Sequence, residues 1–317
     1  MFKKIAIKTG VLTTVFILAV IVSSYVTNRG NTDMSADMGG ATLPRISFMT
    51  EGYEVNSLPG YKSDMTLTSM RDTLTPVTNN QLDMNIAKYD NQIQKVYWQV
   101  YTLNGKKCIQ EGTIKDVQDT VTLNFKNTKI LKEERILKVT LYLDNQNIYF
   151  YTRIKNSADC NYKKSLDFAN DFHNAALENQ GDKVESYLET DSSEDSSTYQ
   201  EVTLASTQSQ VTWGSLAPQV SGNVYWEIKE CNENYTSLVL KYQVKCTGDT
   251  DYADRLYSVK EFFRIRTGED AQQYLLDYDR TMNQRFDGKT TALNQKGVLV
   301  GICLLYTSPS PRDRSVS

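Results

Sequence analysis

The spacing of apolar residues changes several times along the chain, and each change marks a boundary. Residues 9–28 carry no charge, and the centre of that run, VLTTVFILAVIV, is almost wholly apolar. A helix of ~20 residues spans about 30 Å, the thickness of a bilayer core. Past residue 42 apolar and polar positions alternate with a period of two, as strands with one buried face require. Over residues 165–180 the spacing becomes helical, placing Phe168, Ala169, Phe172, Ala175 and Ala176 on one face, and then it returns to two. The pattern predicts an N-terminal transmembrane helix, an all-β domain over residues 43–156 and an α+β domain over residues 162–288.

Within the first β region, residues 95–114 alternate on both sides of Asn104-Gly105. Asn-Gly favours a two-residue hairpin loop, because both positions take positive φ. That loop sets Val100 opposite Ile109 and Val96 opposite Thr113. Val96, Trp98 and Val100 then form the core face, with Tyr97, Gln99 and Tyr101 on the other. Residues 137–154 predict a second hairpin with a four-residue loop, 144–147. Its apolar pairs are Leu143 with Ile148, Leu141 with Phe150, and Leu137 with Ile154; the opposite face pairs Tyr142 with Tyr149 and Lys138 with Arg153. Residues 45–49, 82–86 and 121–125 read as further strands. Short antiparallel strands at this spacing suggest a β-sandwich of immunoglobulin-like type, with Trp98 in a core strand but no Cys-Trp-Cys arrangement.

In the second region Ser165 is the expected N-cap of a helix and Gly181 its stop, followed by a short helix over 182–188. An acidic, serine-rich loop begins at Glu189. Residues 224–230, 237–245 and 257–266 read as strands of a meander; residues 274–286 fit either a fourth strand or a helix. Helices followed by an antiparallel sheet make an α+β domain. Residues 291–302 read as the opening of a further region.

Charge orients the N-terminal helix. Lys3, Lys4 and Lys8 precede the apolar run, and Arg29 alone follows it before Asp33 and Asp37. The positive-inside rule puts residues 1–8 in the cytoplasm and the bulk of the chain outside. The run is longer than the ~7–15 apolar residues of a cleaved signal peptide and lacks a small-x-small cleavage site. It therefore reads as an uncleaved anchor, with the lipid bilayer as partner through residues 9–28 and a flexible tether over 29–42.

Composition narrows the chemistry. A net charge of −3 gives no electrostatic footprint for nucleic acid. The 20 tyrosines, many in alternating runs, favour strands. His173 is the one histidine, so any nucleophile–histidine pair must pass through it; at the edge of its helix's apolar face it reads as structural. No CxxC, phosphate-cradling glycine loop or nucleophile elbow occurs, and no cofactor, metal or catalytic residue is predicted. Asp249, Asp251 and Asp254 alternate as in a calcium loop, yet the glycine and distal glutamate of an EF-hand are missing, which favours a solvated turn. An extracytoplasmic setting permits disulfides among Cys108, Cys160, Cys231 and Cys246, with pairing left open. A tight turn at 232–234 would keep Cys231 far from Cys246. The sequon at Asn234 carries weight only in a eukaryotic secretory pathway. Tyr142 and Tyr149, with Tyr151 nearby, are candidates for a ligand-stacking face for a sugar; the ordinary alternative is a cross-strand aromatic pair.

Three stretches, RISFMTEGYEVNSLPGY (residues 45–61), QVTWGSLAP (210–218) and DYDRTMNQRF (277–286), resemble uncharacterised membrane-anchored extracytoplasmic proteins of Clostridia-type Gram-positive bacteria. The resemblance implies a longer protein with a further β-rich region, these N-terminal domains serving as stalk or adaptor. CLLYTSPSPRD (residues 303–313) resembles the translation of a transposase sequencing adapter. Residues 303–317 are accordingly expected to be artefact, and the genuine chain to be cut short near Ile302. The expectation is a single-pass membrane-anchored binding, sensing or scaffold protein of the bacterial envelope, non-catalytic in this part, with an envelope protein or wall glycan as partner. The alternatives are the stalk of a glycan-active envelope enzyme, and an extracytoplasmic regulator of a membrane sensor kinase.

Overall fold

The computed structural model describes residues 2–28, 42–126, 128–159, 161–189, 199–248, 252–269, 271–285, 293–294 and 297–298. The expectations for residues 29–41, Cys160, residues 190–198, Asp249, Asp251 and residues 299–317 lie outside them. The chain divides into two compact units, Met1–Gly39 with Phe286–Ser317, and Gly40–Arg285.

In the first unit α1 (Phe2–Asn28) is one continuous helix. Its stretch Lys8–Val26 has a mean hydropathy of 2.0 and none of it is buried. It is long and apolar enough to cross a membrane. Its threonines do not spoil that character. Thr13 and Thr14 donate to the carbonyls of Thr9 and Gly10 one turn back, each at 2.9 Å.

Strands dominate the second unit. Before its first helix come β1 (Arg45–Thr50), β2 (Tyr53–Pro59), β3 (Leu74–Val77), β4 (Gln81–Ala87) and β5 (Ile93–Thr102). Then follow β6 (Cys108–Ile114), β7 (Thr120–Asn124), β8 (Arg135–Leu143) and β9 (Asn147–Asn156). Helices α2 (Tyr162–Leu177) and α3 (Gly181–Val184) lead to β10 (Glu201–Thr203), α4 (Gln208–Val211) and β11 (Pro218–Val220). The last four strands are β12 (Tyr225–Cys231), β13 (Thr236–Cys246), β14 (Leu256–Thr267) and β15 (Gln273–Gln284).

These strands form two sheets. One runs β10-β15-β14-β13-β12-β2-β1-β4-β7, with β11 added on β13; the other runs β3-β9-β8-β5-β6. Val96, Trp98, Val100, Val139, Leu141, Ile148 and Phe150 of the five-stranded sheet share a core with Phe48, Leu82, Met84 and Leu123 of the larger one. Trp98 meets Phe125 edge-on at 5.3 Å between ring centres. The meander β12 to β15 is antiparallel throughout, which settles residues 274–286 as a strand over Gln273–Gln284. Helix α2 covers one face of it through Phe172, whose ring lies 6.0 Å from Phe263 and 5.0 Å from Tyr278.

Both predicted hairpins form, with altered registers. In β5–β6 the expected pairing survives at Tyr101↔Cys108, but a bulge then sets Val100 opposite Gln110 and Val96 opposite Ile114. The last backbone bond, Thr102 N to Lys107 O at 3.0 Å, encloses four residues instead of two. Only Gly105 of the Asn-Gly pair takes positive φ. The bulge has a packing reason. It brings Gly112 opposite Trp98, where a Cβ would lie 2.5 Å from indole Cζ2. The indole needs the missing side chain.

In β8–β9 the register is displaced by two residues. Leu143 N bonds Gln146 O at 3.0 Å, so the loop is Asp144-Asn145. Leu141 pairs Ile148, Val139 pairs Phe150, and Tyr149 faces Thr140 instead of Tyr142. A shift of two keeps every side chain on its face, so the apolar pattern fits either register.

Helix α2 begins a turn earlier than Ser165. Tyr162 is buried and its hydroxyl shares a 2.7 Å hydrogen bond with Thr50, while Ser165 lies inside the helix, 1% exposed. The stop is Asn179, at φ +56, with Gln180 N on Ala175 O at 2.8 Å and Asn179 N on Ala176 O at 3.2 Å. That is a Schellman closure with asparagine in the left-handed position. Gly181 instead opens α3.

Candidate functional site

The ten-stranded sheet is continuous because β2 and β12 meet in parallel at one bridge, Val55 with Trp226. The joint depends on Asn56, which is fully buried and takes φ +53. Asparagine tolerates that conformation better than most residues. Its Oδ1 accepts from Ile228 N at 2.9 Å, and its Nδ2 donates to Leu74 O at 2.9 Å and Thr75 Oγ1 at 2.8 Å. One amide thus ties β2, β3 and β12. Tyr53 adds a bond from its hydroxyl to Asp167 on α2 at 2.8 Å. Burial, reinforced by that carboxylate, pushes the Tyr53 phenol up to about 12.

Two clefts flank this joint. The larger, about 580 Å³, is lined by Arg71, Asp72, Glu134 and Arg153 from one side and Lys229, Glu230 and Lys260 from the other, over Val239 and Phe262. Most of its charge is paired. Lys229 reaches Asp72 at 2.5 Å and Glu227 at 2.8 Å, and Arg153 reaches Glu134 at 2.7 Å. Burial works against the Lys229 ammonium, but Asp72 and Glu227 outweigh it and hold its pKa above the ordinary lysine value. Arg153 also donates to the Lys229 carbonyl. Lys260 makes no ion pair among the described residues.

The smaller cleft, about 370 Å³, lies where Glu54 and Ser57 of β2 face residues 222–226 leading into β12. Tyr225 is 37% exposed, and Asn223 Nδ2 lies 3.2 Å from its hydroxyl. Arg45 donates to Ser57 beside it.

The three tyrosines singled out in the sequence share one face of the β8–β9 ladder but differ in surroundings. Tyr151 is buried; its hydroxyl donates to Asp64 at 2.6 Å and accepts from Met65 N at 2.7 Å. Burial and the Asp64 carboxylate push its pKa well up. Tyr149 is half-buried, with Tyr61 paired to its backbone and Lys138 Nζ 5.1 Å from its ring centre. Tyr142 carries Lys95 Nζ at 4.0 Å.

A further polar cluster lies between α2 and the meander. Glu261 is fully buried; its Oε1 accepts from Tyr242 and meets His173 Nδ1 at 3.0 Å. Arg280, its cross-strand neighbour and also fully buried, donates to Val211 O at 2.7 Å and Gln210 O at 2.6 Å. Its guanidinium lies 3.9 Å from the Trp213 ring centre, a cation–π contact. Burial opposes charge on Glu261, yet His173 and Arg280 hold its pKa below the usual glutamate value. Burial and Glu261 push Tyr242 well above the tyrosine range.

Sequence reasoning reached His173 but not Glu261, Arg280 or Asn56. A signal was present for two of them. Glu261 interrupts the inward series Tyr257, Val259, Phe263, Ile265, and Arg280 interrupts Tyr278, Met282. Asn56 gave none, because its partner Ile228 is 172 residues away. Among the described residues no group of three or more His, Cys, Asp or Glu side chains is placed to hold a metal ion. Cys231 lies at the β12–β13 turn opposite Thr236, with Cys246 at the far end of β13. Compared with known proteins, the chain matches no family model and no curated sequence.

Proposed function

We propose that the chain is a single-pass membrane-anchored binding module of the cell envelope, with its N-terminus in the cytoplasm and residues 43–285 outside. On this reading the first nine strands are a β-sandwich of immunoglobulin-like type, the second half is the α+β partner fused to it, and neither performs catalysis. The observation that carries the reading is the 19-residue apolar stretch of α1, none of it buried, in a chain whose other unit has a closed core of its own. Two clefts at a hydrogen-bonded joint suit a binding role, since ligand sites favour such junctions. The preferred partners are an envelope protein or a wall glycan.

Expression of the full chain with protease added to intact cells tests topology. The β-rich unit should be digested while a fragment containing α1 stays in the membrane pellet after alkaline washing. Protection from protease overturns the outside placement of the β-rich unit, and release by the wash overturns the anchor. Release of soluble sugar fragments from purified wall by the wild type, lost on replacing one or two acids, overturns the non-catalytic assignment.

A further inference from the structure

We infer that the smaller cleft, between Glu54 and Ser57 of β2 and the 222–226 segment, is a subsite for one uncharged sugar ring of a glycan chain. The inference rests on the binding-module reading and names the ligand class. At about 370 Å³ the cleft has the size of a small-molecule site. Its polar groups are a carboxylate (Glu54), a hydroxyl (Ser57) and an amide (Asn223). Together these offer the mixed donors and acceptors that ring hydroxyls need. One oxygen of Glu54 is held by the Ser47 hydroxyl, and Ser57 is held by Arg45, so both groups are oriented in advance. The one cation beside the lining, Arg45, is engaged by Ser57 and lies 5.9 Å from the Tyr225 ring centre, while the Glu54 carboxylate in the lining disfavours an anionic ligand.

The apolar surface points the same way. Val220 and Val224 are each 41% exposed and Tyr225 37%, a cluster of large apolar side chains within six residues of chain. Such a patch rimmed by polar groups marks an interaction surface. A phenol ring held at its hydroxyl by Asn223 offers a flat face to the C–H side of a pyranose. Gly222 takes φ +82 with no atom within 4 Å of where its Cβ would stand, so the mouth beside it is open. The Tyr142–Tyr149–Tyr151 face is a poorer platform, because Tyr151 lies beneath Asp64 and Met65, and lysines stand 4.0 and 5.1 Å from the other two ring centres, closer than Arg45 stands to Tyr225 at 5.9 Å.

The test titrates the full chain in detergent micelles with cellotetraose and chitotetraose, both uncharged, and with an oligomer of glucuronate. At least one neutral oligosaccharide should bind saturably. Tyr225→Ala and Asn223→Ala should each weaken it, the former about tenfold or more, with the unfolding midpoint unchanged. Lys260→Glu, in the other cleft, should leave it unaltered. Neutral binding that survives both replacements, or that falls with Lys260→Glu, overturns the subsite. Glucuronate binding that depends on Lys260, without neutral binding, overturns the neutral-sugar subsite but keeps the binding module. Failure of all three ligands overturns the sugar assignment, and cleavage of the oligosaccharides by the wild type overturns the non-catalytic reading itself.

Discussion

Asn56 and Glu261 are both fully buried, yet they are held in different ways. Asn56 is neutral, and its oxygen and both its amide hydrogens go to named partners on two other strands, β3 and β12. Glu261 is a carboxylate whose Oε1 takes both hydrogen bonds, from Tyr242 and His173, while its Oε2 and the Nε of Arg280 meet no hydrogen-bond partner among the described residues. The saturated amide fixes where two strands meet. The charged cluster depends on balance among several groups, so removing any one leaves the others exposed to the low dielectric of the core.

The largest expected effect follows from that imbalance. Arg280→Met removes two bonds to backbone carbonyls and leaves Glu261 buried without its cationic neighbour. It should cost about 3–5 kcal/mol in urea unfolding of the full chain. Adding Glu261→Gln should recover part of the loss, because removing both charges is cheaper than removing one. A loss below about 1 kcal/mol for the single variant would mean the cluster is not strongly coupled. The acid limb gives a second reading. Glu261 has its folded pKa below the reference 4.5, so its contribution is full above that value and is lost as pH falls through the lower, folded one. Below pH 4.5 wild-type stability should therefore fall more steeply than that of Glu261→Gln.

Asn56→Ala tests the other member of the pair. It strands Ile228 N–H and Leu74 C=O at about 1–2 kcal/mol each, giving about 2–4 kcal/mol overall. Alanine must also take φ +53. Asn56→Gly loses the same bonds without that strain and should be the milder change by about 1 kcal/mol. Equal costs for the two would show that the backbone relaxes and that the amide does not dictate the joint.

Gly112→Ala should cost about 1–3 kcal/mol, since its Cβ meets the Trp98 indole at 2.5 Å. A second change, Trp98→Phe, should relieve it, measured as a non-additive pair. That glycine also shows how far the sequence was legible. The Val96, Trp98, Val100 face followed from alternation and is buried as expected. Its partner strand did not, because one bulge residue shifts β6 and nothing local announces it. The β8–β9 register failed for a different reason: a displacement by two preserves every face, so only loop chemistry chooses, and Asp144-Asn145 closes as tightly as the longer loop would. The apolar face of α2 was readable, whereas its ends were not. Tyr162 extends the helix through a bond to Thr50, 112 residues earlier, and asparagine does the capping expected of glycine. Strand β2 and the joint it makes escaped notice because Asn56 and its bulge break the alternation that would reveal them. The tyrosines were legible as a face, but the segment that covers Tyr151 is distant in sequence. Local pattern fixes faces; contacts between distant segments fix registers, ends and clefts.

The smallest effect concerns a bond that water can replace. Tyr53 donates to Asp167, whose side chain is 45% exposed and also pairs with Lys163 at 2.8 Å. Tyr53→Phe strands nothing, so its cost should be about 0.5–1.5 kcal/mol, below both buried sites. The sign of its pH dependence is opposite to that of Glu261. The fold holds the phenol neutral up to about 12 against a reference of 10.0. Its contribution is therefore complete below pH 10 and disappears as pH rises through the folded value. The gap between wild type and Tyr53→Phe should hold constant from pH 7 to 10 and close above it, while Asn56→Ala, which titrates nothing, keeps its full cost across the range. A Tyr53→Phe penalty as large as that of Asn56→Ala would place Asp167 among the groups that cannot be resolvated. The grip of β2 on α2 would then matter as much as its joint with β12.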